Sequence, residues 1–201
     1  MSDWETLYRE QRHQLRWPSE HVIRFLASSP HAGKALDIGC GTGRHVKLLL
    51  DYSHEVSCCD TSESALTHCR QLAGVQGELA SMTALPYPDE TFDTAISYGV
   101  FYYGGMLDHE KAAEELWRVL KPGGRAFVNA RTNSDWRTRH MHAGRFMCEG
   151  EPEHEMLLTF LREAQIPAMY RKFRFVDWER NITTSHRTRR GNSDWLITVT
   201  K

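Results

Sequence analysis

The chain is poor in the features that mark secreted, membrane-spanning or disordered proteins. Its 201 residues include five cysteines, at 40, 58, 59, 69 and 148. The number is odd and no Cys-x-x-Cys pair occurs, which argues against a disulfide framework and against a metal site. Neighbouring Cys58 and Cys59 point to opposite faces if they lie on a strand, and such thiols pack as small hydrophobes. The longest uncharged stretch, 94–107, is interrupted by glycines and falls short of the roughly 20 apolar residues that a bilayer span requires. The N-terminus, Met-Ser-Asp-Trp-Glu, is polar and acidic with no apolar signal segment behind it, so a cytoplasmic location and no membrane partner are expected. No internal repeat or low-complexity tract stands out, and no run of five like charges suggests a nucleic-acid arm.

What remains is an ordinary globular composition, with 40% apolar and 25% charged residues. The length suits one domain, 1–201. The net charge of −1 is unevenly spread: residues 1–117 hold 9 Lys/Arg against 17 Asp/Glu, and residues 118–201 hold 16 against 9. Such asymmetry marks either a side that meets an anionic partner or two solvated surfaces that differ.

Short apolar runs alternate with helical stretches, the pattern of a parallel sheet covered by helices. The first 30 residues read as mostly helical, with Ser19 capping a helix that carries Val22, Ile23 and Leu26. Strands are predicted at Ala35–Ile38, Glu55–Cys59, Gly77–Ala80, Phe92–Ser97 and Arg125–Asn129. Helices follow the first, second and fourth, the last of them stopped by Lys121-Pro122-Gly123-Gly124. Residues 131–150 read as an irregular excursion, Pro152 as the start of a helix through Met156, Leu157, Phe160 and Leu161, and 173–183 and 195–200 as two late, paired strands.

The turn Asp37-Ile38-Gly39-Cys40-Gly41-Thr42-Gly43 carries the main chemical signal. Alternating glycines let a backbone approach a ligand closely, and ligands of open parallel sheets sit beyond the carboxyl ends of the strands. Asp60 ends the second strand and can accept hydrogen bonds from both hydroxyls of a ribose, although it also fits a plain N-cap. The nicotinamide fingerprint fails, because its third glycine position holds Arg44, and no Gly-Lys-Ser/Thr of a P-loop is present. Asp37, at the strand mouth, would repel a pyrophosphate and attract a cation. S-adenosylmethionine, an adenosine with a sulfonium and an ammonium and no phosphate, suits these charges.

Four segments in order now resemble the class I S-adenosylmethionine-dependent methyltransferases of bacterial small-molecule type: 35–43, Asp60, Leu85-Pro86-Tyr87-Pro88-Asp89-Glu90-Thr91-Phe92-Asp93, and Leu120-Lys121-Pro122-Gly123-Gly124. The resemblance covers roughly residues 33–130. It implies an α/β, Rossmann-like three-layer sandwich with a mostly parallel seven-stranded sheet ending in an antiparallel strand pair. It also implies a helical lid over 1–30, a cofactor-binding core over 31–130, and an acceptor-side excursion with the last strands over 131–201.

By the same resemblance, Asp37, Gly39, Cys40, Gly41, Thr42 and Gly43 would hold the methionine moiety, Asp60 the ribose, and Thr61 the edge of the adenine. The acidic residue usual near the adenine amino group is replaced by Ser81, so that contact falls to the Ser81 hydroxyl or the Met82 backbone. Ser97, Tyr98 and Gly99 would line the cofactor near its methyl group. Tyr8 and Arg16, in an aromatic and cationic stretch with Trp4, Arg12 and Trp17, would act as lid residues; packing of that helix on the sheet is the competing reading. Candidates for a base are Tyr103, after the fourth strand, and His140 and His142 in the basic excursion.

The acceptor is expected to be a small molecule methylated on O or N. The arginines at 131, 137, 139 and 145 favour an anionic one. Ser97-Tyr98-Gly99-Val100 stands where base methyltransferases carry Asn/Asp-Pro-Pro-Tyr/Phe, so no nucleic acid partner is expected. A non-catalytic cofactor-binding sensor or partner subunit is the alternative, and a nicotinamide-dependent oxidoreductase a more distant one. Oligomeric state is not readable from the sequence.

Overall fold

The computed structural model describes residues 4–10, 15–28, 33–52, 55–184 and 190–201. In chain order the elements are α1 (Trp4–Arg9), α2 (Glu20–Ala27), β1 (Lys34–Ile38), α3 (Arg44–Asp51), β2 (Glu55–Asp60), α4 (Glu63–Ala73), β3 (Glu78–Leu79), β4 (Phe92–Ser97), α5 (Met106–Val119) and β5 (Leu120–Arg131). A 3-10 turn (Trp136–His140), the small hairpin β6 (Met141–His142) and β7 (Arg145–Phe146), α6 (Ile166–Met169), β8 (Phe175–Thr184) and β9 (Gly191–Thr200) complete the chain.

The main sheet runs in the order β3-β2-β1-β4-β5-β9-β8. The first five strands are parallel neighbours, and β9 joins β5 and β8 antiparallel. Alternate side chains feed two packed faces. Leu36, Ile38, Ala95, Ala126 and Val128 meet Ala112, Ala113, Leu116 and Val119 of α5 and Ile166 of α6. Ala35, Ile96, Phe127 and Leu196 meet Val22, Phe25 and Leu26 of α2 and Leu49 of α3. This period-two division fits a sheet sandwiched between helices. The chain leaves β1 toward β2 on one side and returns to β4 on the other, so a crevice opens at the carboxyl ends of β1 and β4.

Local caps fix where the helices start. Ser19 Oγ accepts from His21 N–H at α2, and Ser62 Oγ accepts from Ala65 N–H at α4. These are standard N-caps that satisfy otherwise orphaned amides.

Three expectations need correction. Residues 152–161 form no helix: they run as turns and bridges, pairing at Arg145–Leu157, Tyr103–Leu158 and Thr132–Leu161. Those pairings leave Leu158 and Leu161 buried while Leu157, expected on the inward stripe with Met156, Phe160 and Leu161, is exposed. The excursion 131–150 is also more ordered than expected, holding the 3-10 turn and the hairpin. The third strand shortens to two residues.

Candidate active site

The residues around the glycine turn wall a cavity of about 890 Å³ that extends from Gly39–Thr42 past Tyr98–Gly104 to Arg131, Glu153 and Asp194. Gly39 and Gly41 adopt φ of +70° and +53°, values that side chains seldom tolerate. A Cβ on Gly39 would strike Val100 Cγ2, and one on Gly41 would sit 2.6 Å from Tyr8 Oη. The backbone is thus bare where a ligand would approach it. The turn is tethered from below, since Cys59 O accepts from the N–H of Gly39 and of Cys40 at 2.8 and 3.0 Å.

Asp60 stands at the end of β2 on the cavity wall. One carboxylate oxygen accepts from Gly41 N–H at 2.8 Å and the other from Ser62 N–H at 3.0 Å. It therefore links the glycine loop to the start of α4. Burial pushes its pKa up, and these amide bonds work against that rise.

Asp37 is buried and is not on the cavity wall; its Oδ2 has no partner among the described residues. Desolvation pushes this carboxyl well above the usual carboxylate range. A buried, unsatisfied acceptor is costly on its own. A bare glycine cradle, the Asp60 carboxylate beside it and an unsatisfied acid behind the loop fit a cationic nucleoside without phosphates.

Thr61, Ser81 and Met82 share the cavity wall beyond Asp60. The Ser81 hydroxyl lies 2.9 Å from Thr83 Oγ1 and accepts from Thr83 N–H at 3.2 Å, so it is engaged in its own turn as well. Tyr98 and Gly99 line the cavity. Gly99 N–H donates to Asn129 Oδ1 at 2.6 Å, which holds the mouth of β4 against β5. Ser97 and Gly43 act differently from the expectation. Ser97 is fully buried and donates to Ile38 O at 2.9 Å, tying β4 to β1. Gly43 is the left-handed N-cap of α3, where a Cβ would press on Cys69 Sγ. Both shape the site from behind.

Of the lid residues, Tyr8 lines the cavity and its hydroxyl is kept protonated by burial. Arg16 is exposed and is not on the wall. The wall there is formed by Leu15, whose carbonyl accepts from Thr42 Oγ1, and by Arg44, which donates to Trp17 O. Arg12 lies outside the described residues. Trp4, read beforehand as one aromatic of the lid stretch, also faces the cavity.

At the far end the wall is made of ion pairs. One nitrogen of buried Arg131 donates to both Asp194 oxygens at 3.0 and 3.1 Å, and its guanidinium lies 4.5 Å from the centre of the Tyr102 ring. Arg137 is held by Asp135, Glu153 and Asn192. Two copies of the tetrapeptide Asn-Ser-Asp-Trp, 133–136 and 192–195, meet here. Asp135 accepts from Ser193 N–H, and Trp136 Nε1 donates to Asn192 Oδ1. That repeat is the signal by which the sequence could have marked this wall.

Tyr103 lines the cavity, and desolvation raises its hydroxyl pKa well above the ordinary value. It is a donor rather than a base at neutral pH. His140 and His142 are exposed, at the end of the 3-10 turn and on β6, and neither is on the cavity wall. His140 stands edge-on to Trp136 and to Phe146.

Residues 36–128 match the methyltransferase domain family, and the chain shares the fold of solved S-adenosylmethionine-dependent methyltransferases. Among curated relatives, the chain is 37% identical over 114 residues to a tRNA (carboxymethyluridine(34)-5-O)-methyltransferase of Arabidopsis thaliana, covering 54% of this chain and 26% of that protein. It is 36% identical over 122 residues to a demethylmenaquinone methyltransferase of Thermus thermophilus, covering 57% of this chain and 53% of that protein. The chain thus spans about half or less of the length of these relatives. The fold matches a 1,6-didemethyltoxoflavin-N1-methyltransferase of Burkholderia thailandensis, solved with S-adenosylhomocysteine, with a TM-score of 0.70 at 17% identity over 100% of this chain and 86% of that one. No helix among the described residues is long and apolar enough to cross a membrane.

Proposed function

We propose that the chain transfers the methyl group of S-adenosylmethionine to an O or N atom of a small, neutral or cationic molecule. The observation that carries the first half is the bare glycine turn with Asp60 bound across it. Gly39, Cys40, Gly41 and Thr42 would follow the methionine moiety, Asp60 the ribose hydroxyls, and Thr61, Ser81 and Met82 the adenine. When bound, the sulfonium supplies a methyl group already activated by its positive charge. The protein's task is then mainly alignment and exclusion of water, which contribute up to about 7–11 kcal/mol in well-oriented systems.

The residues at the acceptor end suit that task. Tyr103, kept protonated, donates a hydrogen bond to the acceptor, and Tyr98 and Tyr102 fill the wall beside it. Glu153 and Asp194 are committed to arginines, and His45 accepts from Ser19 N–H at 3.1 Å and is kept neutral. A lone pair that needs no prior deprotonation is therefore the favoured nucleophile.

The charge of the acceptor follows from the ion pairs. Arg131 and Arg137 reach the cavity already neutralised, while Arg139 and Arg145 are exposed and off the wall. Asp108, Glu151, Glu153 and Asp194 line the same end. Asp194, Glu153 and Glu151 are paired with Arg131, Arg137 and Arg190, so among the described residues this end offers no unpaired arginine, which disfavours the anionic acceptor expected from the sequence. It also disfavours a nucleic acid, whose phosphates seek unpaired Lys and Arg. A cytoplasmic reaction is part of this proposal.

Calorimetry with S-adenosylhomocysteine tests the cofactor half. Binding should be measurable, and Asp60→Asn should weaken it at least tenfold; an equal affinity in the variant removes the ribose assignment. Methyl incorporation into amines and alcohols, into carboxylates and into total tRNA tests the acceptor half, and labelling confined to carboxylates or tRNA would overturn it.

A further inference from the structure

Three cysteines scattered along the sequence converge behind the glycine turn. Cys40 lies in the turn, Cys58 on β2 and Cys69 on α4. Their three sulfur atoms all lie within 4.8 Å of one another, and Cys58 Sγ and Cys69 Sγ are 3.9 Å apart. All three are buried. Cys59 packs in the other face of the sheet, and Cys148 belongs to the excursion. A zinc–sulfur bond is about 2.3 Å long, so two sulfurs on one tetrahedral ion stand roughly 3.8 Å apart. The cluster is already near that spacing without a change of backbone.

The geometry points to a binding site for one thiophilic divalent cation of the zinc class, held by the sulfurs of Cys40, Cys58 and Cys69. Soft thiolate sets select such ions over magnesium or calcium. Three further observations bear on it. The site has an entry, because Cys40 lines the cavity while the other two sulfurs lie behind it. A buried acid adjoins it: Asp37, whose Oδ2 has no partner among the described residues, stands opposite Cys58 in the β1–β2 register. The Cys58 and Cys69 sulfurs already face each other at hydrogen-bonding distance, 3.9 Å, so two members of the set are oriented toward a common centre.

The balance of the step is simple. Three S–H bonds release their protons to solvent, three sulfur–metal bonds form, and nothing is oxidised. A divalent ion leaves one net negative charge among the thiolates, and the Arg44 guanidinium acts on the neighbouring Asp37 with the opposite sign. A monovalent ion would leave two negative charges in the same buried volume, a costlier state. Because Cys40 stands between Gly39 and Gly41, an occupied site would tie the glycine turn to β2 and α4. The sequence hides this set, since its members stand 18 and 11 residues apart and lack the short spacing of recognised zinc motifs.

The test is independent of any methyl transfer. The full reduced chain is incubated with zinc, passed through gel filtration and analysed for metal. One zinc per chain is expected in the parent and in Cys148→Ala, and at least a fivefold lower content in Cys40→Ala, Cys58→Ala and Cys69→Ala. A parent that retains no zinc overturns the site, as does equal retention in the three variants, which would place the ion on surface histidines. Should the core variants not fold, alkylation of the unmutated chain decides. Zinc should slow iodoacetamide modification of Cys40 at least tenfold while leaving Cys148 unchanged, and equal rates with and without zinc overturn the proposal.

Discussion

The indole of Trp4 meets the ring of Tyr103 edge-on, with centroids 5.3 Å apart. One residue comes from the first described helix and the other from the connection between β4 and α5, so this contact joins the N-terminal helix to the β4 side of the cavity. Trp4 also tilts against Tyr8, at 5.7 Å, and Tyr8 covers the glycine turn. Helix α1 is thereby part of the cavity wall. Aromatic pairs contribute about 0.5–1.5 kcal/mol beyond their buried area, so Trp4→Ala should weaken S-adenosylhomocysteine binding roughly threefold to tenfold. Calorimetry on the two proteins checks this, and an unchanged affinity would show that α1 is not part of the cofactor enclosure.

What fastens α1 in place is the carboxylate of Glu5. It accepts from Ser62 Oγ at 2.7 Å and from Ser64 N–H and Oγ at 3.1 and 2.5 Å, across the first turn of α4. These bonds hold the Glu5 carboxyl down to about 2, from an ordinary 4.5. A depressed carboxyl pKa means that its contribution to docking is complete above about pH 4.5 and is lost as the pH falls through about 2. Glu5→Gln should therefore lower amide-exchange protection of residues 4–10 at pH 7 and make little difference near pH 2. Equal protection of the two proteins at pH 7 would rule out the carboxylate as the anchor.

How much of this was legible beforehand depends on the range of the signal. The parallel core was readable because most of its strands carry their own apolar runs and α2 starts at its own cap, Ser19. The alternating glycines were readable because they fall in one short segment beside a strand end, and Asp60 because it closes the next strand. The acceptor wall was not, since Arg131 and Asp194 become neighbours only when β5 and β9 pair in register. The cationic stretch 131–145 looked like an anion site because a sequence shows charges and not their partners. His140 and His142 alternate as strand residues do, yet one ends the 3-10 turn and the other lies on the hairpin that packs its Phe146 inward, and both are left in solvent. The helix expected from Pro152 failed for a similar reason: apolar spacing over six residues cannot distinguish a helical stripe from a segment pinned by bridges to three other parts of the chain.

The glycine turn makes a separable prediction. Gly39→Ala meets two obstacles, the positive φ and the Val100 side chain. A left-handed conformation costs a non-glycine residue roughly 1–2 kcal/mol, and the contact with Val100 adds to that. The double variant Gly39→Ala with Val100→Ala should recover the steric part and leave the conformational part. Urea unfolding of the four proteins checks this. Exact additivity of the single effects would mean that Val100 does not crowd the turn.

His45 supplies a pH dependence of opposite origin to that of Glu5. It is buried on α3, its Nε2 accepts the Ser19 N–H, and burial holds its pKa down to about 3 from an ordinary 6.5. The unfolded chain binds a proton that the folded chain refuses, so this residue's contribution is complete above about pH 6.5 and declines as the pH falls toward 3. His45→Gln can keep an acceptor for Ser19 but cannot titrate. Its stability at pH 5, relative to pH 7.5, should fall less than that of the parent in urea unfolding, and parallel declines would remove His45 as the source.

The pair Arg131 and Asp194 bears on both stability and the acceptor. Arg131 is 8% and Asp194 6% exposed, and the guanidinium is held between that carboxylate and the Tyr102 ring. Removing one partner of a buried pair leaves an uncompensated charge and typically costs about 3–5 kcal/mol, whereas replacing both by apolar residues can be close to neutral. Asp194→Asn should therefore destabilise the fold more than the double change Arg131→Met with Asp194→Leu. The two proteins separate the roles of the pair. If it only supports the fold, the double variant regains both stability and acceptor turnover. If it also shapes the acceptor chamber, as its place on the cavity wall argues, the double variant regains stability and S-adenosylhomocysteine affinity while its acceptor KM stays raised. Denaturant unfolding, calorimetry and turnover on the same samples distinguish the two cases, and full recovery of KM would assign the pair to the scaffold alone.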